Sequence, residues 1–393
     1  GMIDVMAQYY NCGITYHNFS LYMDYSYGQS SYKARFENIW LGLYSLIANC
    51  NAIIGHCGNG NSVLSDVYYN MIKGEAIGLR AMMHLDLLRM FGPIWSDTGK
   101  DVKCMPYMTR ADRAVEPLLT ADSVMWYIIK DLETASSLLS VVDTEGAKNY
   151  DSGVGANDMN YRQYRMNYFA VNALIARAYL WSGNKEKAGE YARMVIEQVN
   201  KGSDPLFPLV DATYMGANSD RMFSPEVLFS LYNTSRKSVV YDVLFTYSLS
   251  TTSILSMAGK RETGRISITY DDENDYRYKM WESTVVNNTE VTYLTKFKDE
   301  TRTGAEAYRY MMPLIRMSEL YLIAAECETD VQKALDNYFN PLRFSRNCVN
   351  QNAIDEDALK NLIRAEYVRE FIGEGQLFFY YKRLNVKVLH SYS

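Results

Sequence analysis

Residues 167–198 read NYFAVNALIARAYLWSGNKEKAGEYARMVIEQ, and this stretch decides the fold class. Ala170, Leu174, Ala178 and Trp181 recur at helical spacing on one face, Gly183-Asn184 supplies a tight turn, and Ala188, Tyr191, Ala192 and Val195 mark the returning helix. Alanines at the facing positions let two helix backbones approach closely, the pattern of a tetratricopeptide-like unit, and such units stack.

Working outward, the same periodicity predicts helices over 33–54 (Phe36, Trp40, Leu43, Ile47, Ile54), 62–90 and 121–139. The glycines of GHCGNGN, 55–61, end the first of these, and Gly92-Pro93 ends the second. The first 32 residues read as an irregular arm, and the Gly-, Asn- and Asp-rich 143–158 as a long loop. Between about 202 and 310 the period dissolves, leaving short β-like runs at 239–244 and 291–297. A hundred residues without helices in a helical chain point to function. Helices are expected again at 311–327, 331–339 and 357–372.

The 393 residues carry a net charge of −6, which leaves no broad basic field for nucleic acid. Hydrophobic residues at 48% and charged ones at 22% argue for a folded chain. Six cysteines form no CxxC pair and four histidines no HExxH, so no zinc site, disulfide framework or other cofactor is indicated. Cys50 and Cys57, seven apart on a helix, lie too far apart to bridge and read as buried apolar groups. Nucleotide-binding and serine-hydrolase motifs are absent, and no run of about 20 apolar residues exists to span a bilayer. The acidic run Asp271–Asp275 lacks the glycine of a calcium loop and reads as a solvated turn.

Four segments, in order along nearly the whole chain, resemble the SusD/RagB family of outer-membrane nutrient-binding lipoproteins. They are GEAIGLRAMMHLDLLRMFG (74–92); IIKDLETASSLL (128–139) with ALIARAYLWSGNKEKAGEYARMVIE (173–197); PLIRMSELYLIAAEC (313–327) with Asn340 and Arg343; and AEYVREFIGEGQLFFYYKR (365–383). The chain departs from the family pattern at Tyr367, Leu377 and Tyr380, where arginine, arginine and aspartate are usual, and at Trp95, where proline is common. The resemblance implies a mostly α fold in which tetratricopeptide-like pairs form a right-handed superhelical scaffold carrying a large irregular lobe. It implies a single unit over 1–393, with helical pairs at 33–200, the lobe at 201–310 and C-terminal helices at 311–393 packing back on the scaffold. It further implies non-catalytic capture of an oligosaccharide at the cell surface and delivery to a SusC-like TonB-dependent transporter, the protein being a lipoprotein whose signal and anchor are not visible in this chain.

A pyranose offers C–H bonds on a face and hydroxyls at its rim, so stacked aromatics with a few polar partners would hold it. Tyr270, Tyr276, Tyr278, Trp281 and Tyr293, with Arg277, form the candidate site on the lobe, and Trp281 is its principal ring. Relatives complete the site with the loop between the first two helices, which makes Asn59 and Asn61 hydrogen-bond candidates. The Arg and Glu residues among the apolar stripes, Arg80, Arg316, Arg343, Glu366, Glu370 and Glu374 among them, are expected to tie helices together. Two rival readings remain: a scaffold that caps the transporter without touching sugar, and a secreted α-helical glycosidase with two carboxylates in an open cleft.

Overall fold

A computed structural model of the chain describes residues 1–14, 16–60, 63–112, 114–143 and 162–387. Its long helices are α1 (Ser30–Cys57), α2 (Asp66–Phe91), α3 (Ala121–Asp143), α4 (Tyr168–Trp181), α5 (Lys185–Val199) and α6 (Met317–Cys327), followed by α7 (Glu356–Phe371) and α8 (Leu377–Arg383). From α1 to α6 each helix packs on the next, and the irregular lobe enters between the fifth and the sixth. The predicted pair is present: Ala170, Leu174 and Ala178 of α4 and Ala188, Ala192 and Val195 of α5 are all buried. Asn167 and Asn184 cap the two helices by accepting from the N–H of Ala170 and Lys187. Close approach has a signature on α2 as well, where a Cβ on Gly74 or Gly78 would stand 2.8 Å from Leu139 or Met166.

The lobe is ordered by short antiparallel strands. These are β3 (Val227–Tyr232), β4 (Ser256–Ala258), β5 (Trp281–Val286), β6 (Thr289–Leu294) and β7 (Met311–Arg316), preceded in the scaffold by β1 (Lys103–Met105) and β2 (Leu119–Thr120). β3 pairs with β7, and β4 and β5 flank β6. Asn287 and Asn288, both at positive φ, turn the β5–β6 hairpin. Two expectations are corrected here. Residues 239–244 are helical, since a short apolar run carries no period by which to tell strand from helix. Residues 311–316 are β7 rather than the start of a helix, because Pro313 cannot sit inside one, and α6 begins at Met317. The arm includes two short helices, Met2–Met6 and Ser20–Met23, and is tied to both sides. The Asn11 N–H donates to the Ser256 carbonyl, Arg265 to the Gln8 carbonyl, and the Gly375 N–H to Asp4.

Where lobe and C-terminal helices meet lies a buried ionic cluster. Arg277, Arg316, Arg343 and Arg346 interlock with Glu226, Asp275, Glu366 and Glu370, all at most 3% exposed. Arg346 Nη2 lies 2.5 Å from Glu226 Oε1 and 2.8 Å from Glu370 Oε1, while Arg277 spans Asp275, Glu366 and Glu370. Burial alone would raise the Glu366 carboxyl, but Arg277, Arg369 and Arg343 outweigh it and hold it at about 2. Glu370 is likewise held well below the usual range despite burial, by Arg346, Arg316 and Arg277. Burial pushes Glu226, which shares two of those arginines with Glu370, upward. The arginines and carboxylates expected to join helices do so here, and Arg80–Asp131, Arg177–Glu319 and Arg383–Glu326 do the same elsewhere. Tyr367 and Tyr380, which stand where the family carries arginine and aspartate, stack at 4.2 Å and 22° in place of an ion pair.

Candidate functional site

The sugar-stacking rings expected from the sequence are mostly interior. Trp281 opens strand β5 and is fully buried, although Ser283 and Val285 on the same strand face are exposed, and its indole N–H donates to Tyr270 Oη at 3.2 Å. Tyr270 meets Tyr278 edge-on at 5.9 Å and donates to the Arg369 carbonyl on α7. The Tyr293 hydroxyl donates to Glu282 at 2.7 Å beneath the hairpin. Arg277 belongs to the buried ionic cluster. Trp281, Tyr270, Tyr278, Tyr293 and Arg277 therefore present no face to a ligand, and their assignment as a stacking platform is corrected: Tyr270 and Arg277 bond to α7, Trp281 and Tyr278 pack on Tyr270, and Tyr293 bonds within the sheet. Tyr276 is half-buried under the Lys279 ammonium, 5.8 Å from its ring. Asn59 is exposed beyond α1, in a turn whose Gly58 carbonyl accepts from Tyr69 at 3.1 Å and from Lys73. Asn61 lies outside the described residues. The acidic turn is only partly solvated, since Asp275 is buried on Arg277 and Asp271 bridges Arg343 and Arg369.

A different aromatic surface is open. Tyr232, at the exposed end of β3, is 55% accessible and is met edge-on by Tyr164 at 5.2 Å and 86° and by Tyr310 at 5.4 Å and 72°. Three separate segments supply these rings. Gln163 anchors the turn that carries Tyr164 by donating to the Ser224 and Val227 carbonyls, and the Asn233 N–H donates to the Tyr310 carbonyl just beyond the β3–β7 ladder. Edge-on neighbours fix the ring of Tyr232 in orientation while leaving it accessible, the arrangement a pyranose face requires. Polar groups stand at the rim. Arg309 lies 5.2 Å over the Tyr310 ring and is held by Asp299 through bonds of 3.0 and 2.8 Å, and half-buried Asn233 adjoins Tyr232.

Sequence reading missed this site because Tyr164 is remote from the lobe in the chain and each tyrosine alone is unremarkable. No local signal marked it: Leu231 and Tyr232 at the end of β3 are both exposed, so strand alternation does not single out the ring. A second exposed ring, Trp126 on α3, is 55% accessible, but the Lys130 ammonium lies 4.8 Å over it and Tyr127 meets its edge at 4.8 Å.

Comparison with known proteins places this architecture. Residues 146–389 match the model of the SusD family, and residues 6–180 match a second one described as starch-binding, associating with the outer membrane. A SusD-like carbohydrate binding protein from Bacteroides vulgatus shares 20% identity at a TM-score of 0.73, the match covering 98% of this chain and 77% of that one. A SusD superfamily protein from Bacteroides thetaiotaomicron shares 24% identity at a TM-score of 0.68, covering 88% and 74% of the two chains. A laminarin binding SusD-like protein shares 16% identity at a TM-score of 0.59, covering 88% and 77%. No protein in the curated set matches significantly. Among the described residues no helix is long and apolar enough to cross a membrane. With more than half of its length matched by the family's own model and the tetratricopeptide-like helix row in place, the chain belongs to the SusD family.

Proposed function

We propose that this protein binds a neutral oligosaccharide without cleaving it, on the tyrosine surface centred on Tyr232, and passes it to a SusC-like TonB-dependent transporter at the outer-membrane surface. The observation that carries this reading is one open ring, Tyr232, locked between two others beside a polar rim. Charge at that rim is internally matched, since Arg309 is bound by Asp299, which favours an uncharged glycan. Non-catalytic action is supported by the fate of the carboxylates: Glu226, Glu366 and Glu370, the acids packed most densely, are buried on arginines rather than opposed across a cleft. The family match and the printed names of the relatives supply the ligand class, and the laminarin binder puts β-glucans beside starch in the panel to be tried.

Affinity electrophoresis and calorimetry over neutral and charged glycans test it. A neutral glycan is expected to bind in the micromolar to millimolar range, Tyr232→Ala to weaken it at least about tenfold, and Trp126→Ala to leave it unchanged. Binding that survives Tyr232→Ala intact, or release of reducing ends on incubation, overturns the reading. Transporter delivery is checked separately by co-purification from outer membranes with the adjacent TonB-dependent transporter.

A further inference from the structure

At the junction of α2, α4, α6, α7 and α8, away from the tyrosine surface, lies a small, partly open cavity of about 40 Å³. Its walls include Arg89, Arg177 and Arg383, against which only Glu319 supplies a carboxylate, together with Trp181 and Gln376. Two of the guanidiniums are satisfied: Arg177 grips Glu319 at 2.7 and 2.6 Å, and Arg383 grips Glu326 at 2.8 and 2.7 Å. Arg89 is not matched in this way. It is 4% exposed, and its carboxylate partner Asp86, reached by one bond of 3.0 Å, is 37% exposed and shared with water. Its other bond goes to the neutral Gln376 at 2.7 Å. The Lys382 ammonium stands close by, donating to the carbonyls of Arg89, Met90 and Gly92. Three guanidiniums thus line the cavity against one lining carboxylate, Glu319; Arg383 is paired with Glu326 beyond it, and Arg89 has the partly exposed Asp86, with its guanidinium 4.1 Å over the Phe379 ring. Burial pushes the Arg89 guanidinium down to about 10, as expected of a cation short of counter-charge.

A second, independent observation concerns Trp181. Its indole is 3% exposed, and among the described residues its buried N–H has no acceptor, whereas buried donors are almost always paired. An orphan donor and a weakly matched buried guanidinium on one cavity call for the same thing, a small acceptor that carries negative charge.

We propose that this cavity is a binding site for one monovalent anion of halide size, held by the N–H groups of Arg89 and Trp181. The volume admits a single such ion or a water or two. Bound there, the ion bridges the C-terminal end of α2, the end of α4 and the start of α8, and so fastens the C-terminal helices to the scaffold.

Crystals soaked in sodium bromide are expected to show an anomalous peak inside the cavity. In solution, bromide or chloride is expected to raise the melting temperature by on the order of 2 °C over gluconate, a much bulkier anion, at equal ionic strength. Trp181→Phe, which keeps a ring but removes the donor, is expected to weaken halide affinity several-fold, and Arg89→Gln to abolish the increment. Water density without anomalous signal, or equal melting of the wild type in both salts, overturns the proposal whatever the variants do.

Discussion

Trp281 and Tyr232 are both aromatic residues of the same lobe, and their fates differ because of what packs against each, not because of strand alternation: Ser283 and Val285 on Trp281's face of β5 are exposed, while Leu228 and Ser230 on Tyr232's face of β3 are buried. Trp281 is packed at the start of β5 and donates to Tyr270, so its removal is a stability event. Trp281→Ala is expected to cost about 3–5 kcal/mol in urea unfolding. Trp281→Phe should lose about 0.5–1.5 kcal/mol for the missing hydrogen bond plus a smaller packing term, and glycan affinity should persist in whatever fraction folds. Asn59 and Tyr276 retain access to solvent but lack the locked stacking geometry of Tyr232. The sequence marked the lobe as the place to look and named the wrong rings within it, because the identity of an aromatic residue does not state what will pack against it.

At the scale of elements, helix contacts were largely legible, and the caps came with the structure. Asn167 and Asn184 both precede apolar-periodic runs, and both cap. Their substitutions should nonetheless differ. Asn184→Ala removes an exposed cap and is expected to cost about 1 kcal/mol. Asn167 is fully buried and also donates to the Arg162 and Leu228 carbonyls, the latter at 2.7 Å, tying the scaffold to β3. Asn167→Ala is expected to cost about 1–3 kcal/mol more than the Asn184 change, measured in the same denaturant series, because it strands a buried carbonyl. Gly74 is a contact rather than a turn: Gly74→Leu forces Leu139 aside and is expected to destabilise by about 1–3 kcal/mol. The strand β7 was read as helix because its apolar residues match either element, and only Pro313 argued otherwise.

For the whole molecule, the ionic cluster joins β3, β7, the 271–277 segment and α7 into one interior, and it gives the protein an acid limit. The Glu366 carboxyl is held at about 2, below the value of about 4.3 in an unfolded chain, so the unfolded state takes up protons first as pH falls. The stability it contributes is complete above about pH 4.3 and is lost as pH falls toward 2, and Glu370, held low by the same arginines, acts in the same direction. Unfolding free energy from urea titrations is expected to be flat from pH 7 to 5 and to fall steeply below pH 4. Glu370→Gln, which leaves Arg316 and Arg346 to share the buried Glu226 and removes one carboxylate from Arg277, is expected to cost about 3–5 kcal/mol at pH 7 and to flatten that acid slope. A slope unchanged in Glu370→Gln would show that other carboxylates set the limit.

The amino-acid order by itself determined the helical scaffold, since the period of 3.6 and the small residues at helix contacts are local properties that survive translation into structure. It also determined that the acidic and basic residues within the apolar stripes would pair, because a charge at such a position has no other stable fate. What only the tertiary structure decided was the binding surface. Tyr164, Tyr232 and Tyr310 come together through the pairing of β3 with β7 and the anchoring of the Gln163 turn, contacts between residues far apart in the chain. Exposure of a ring is set by what packs against it, and no local pattern records that.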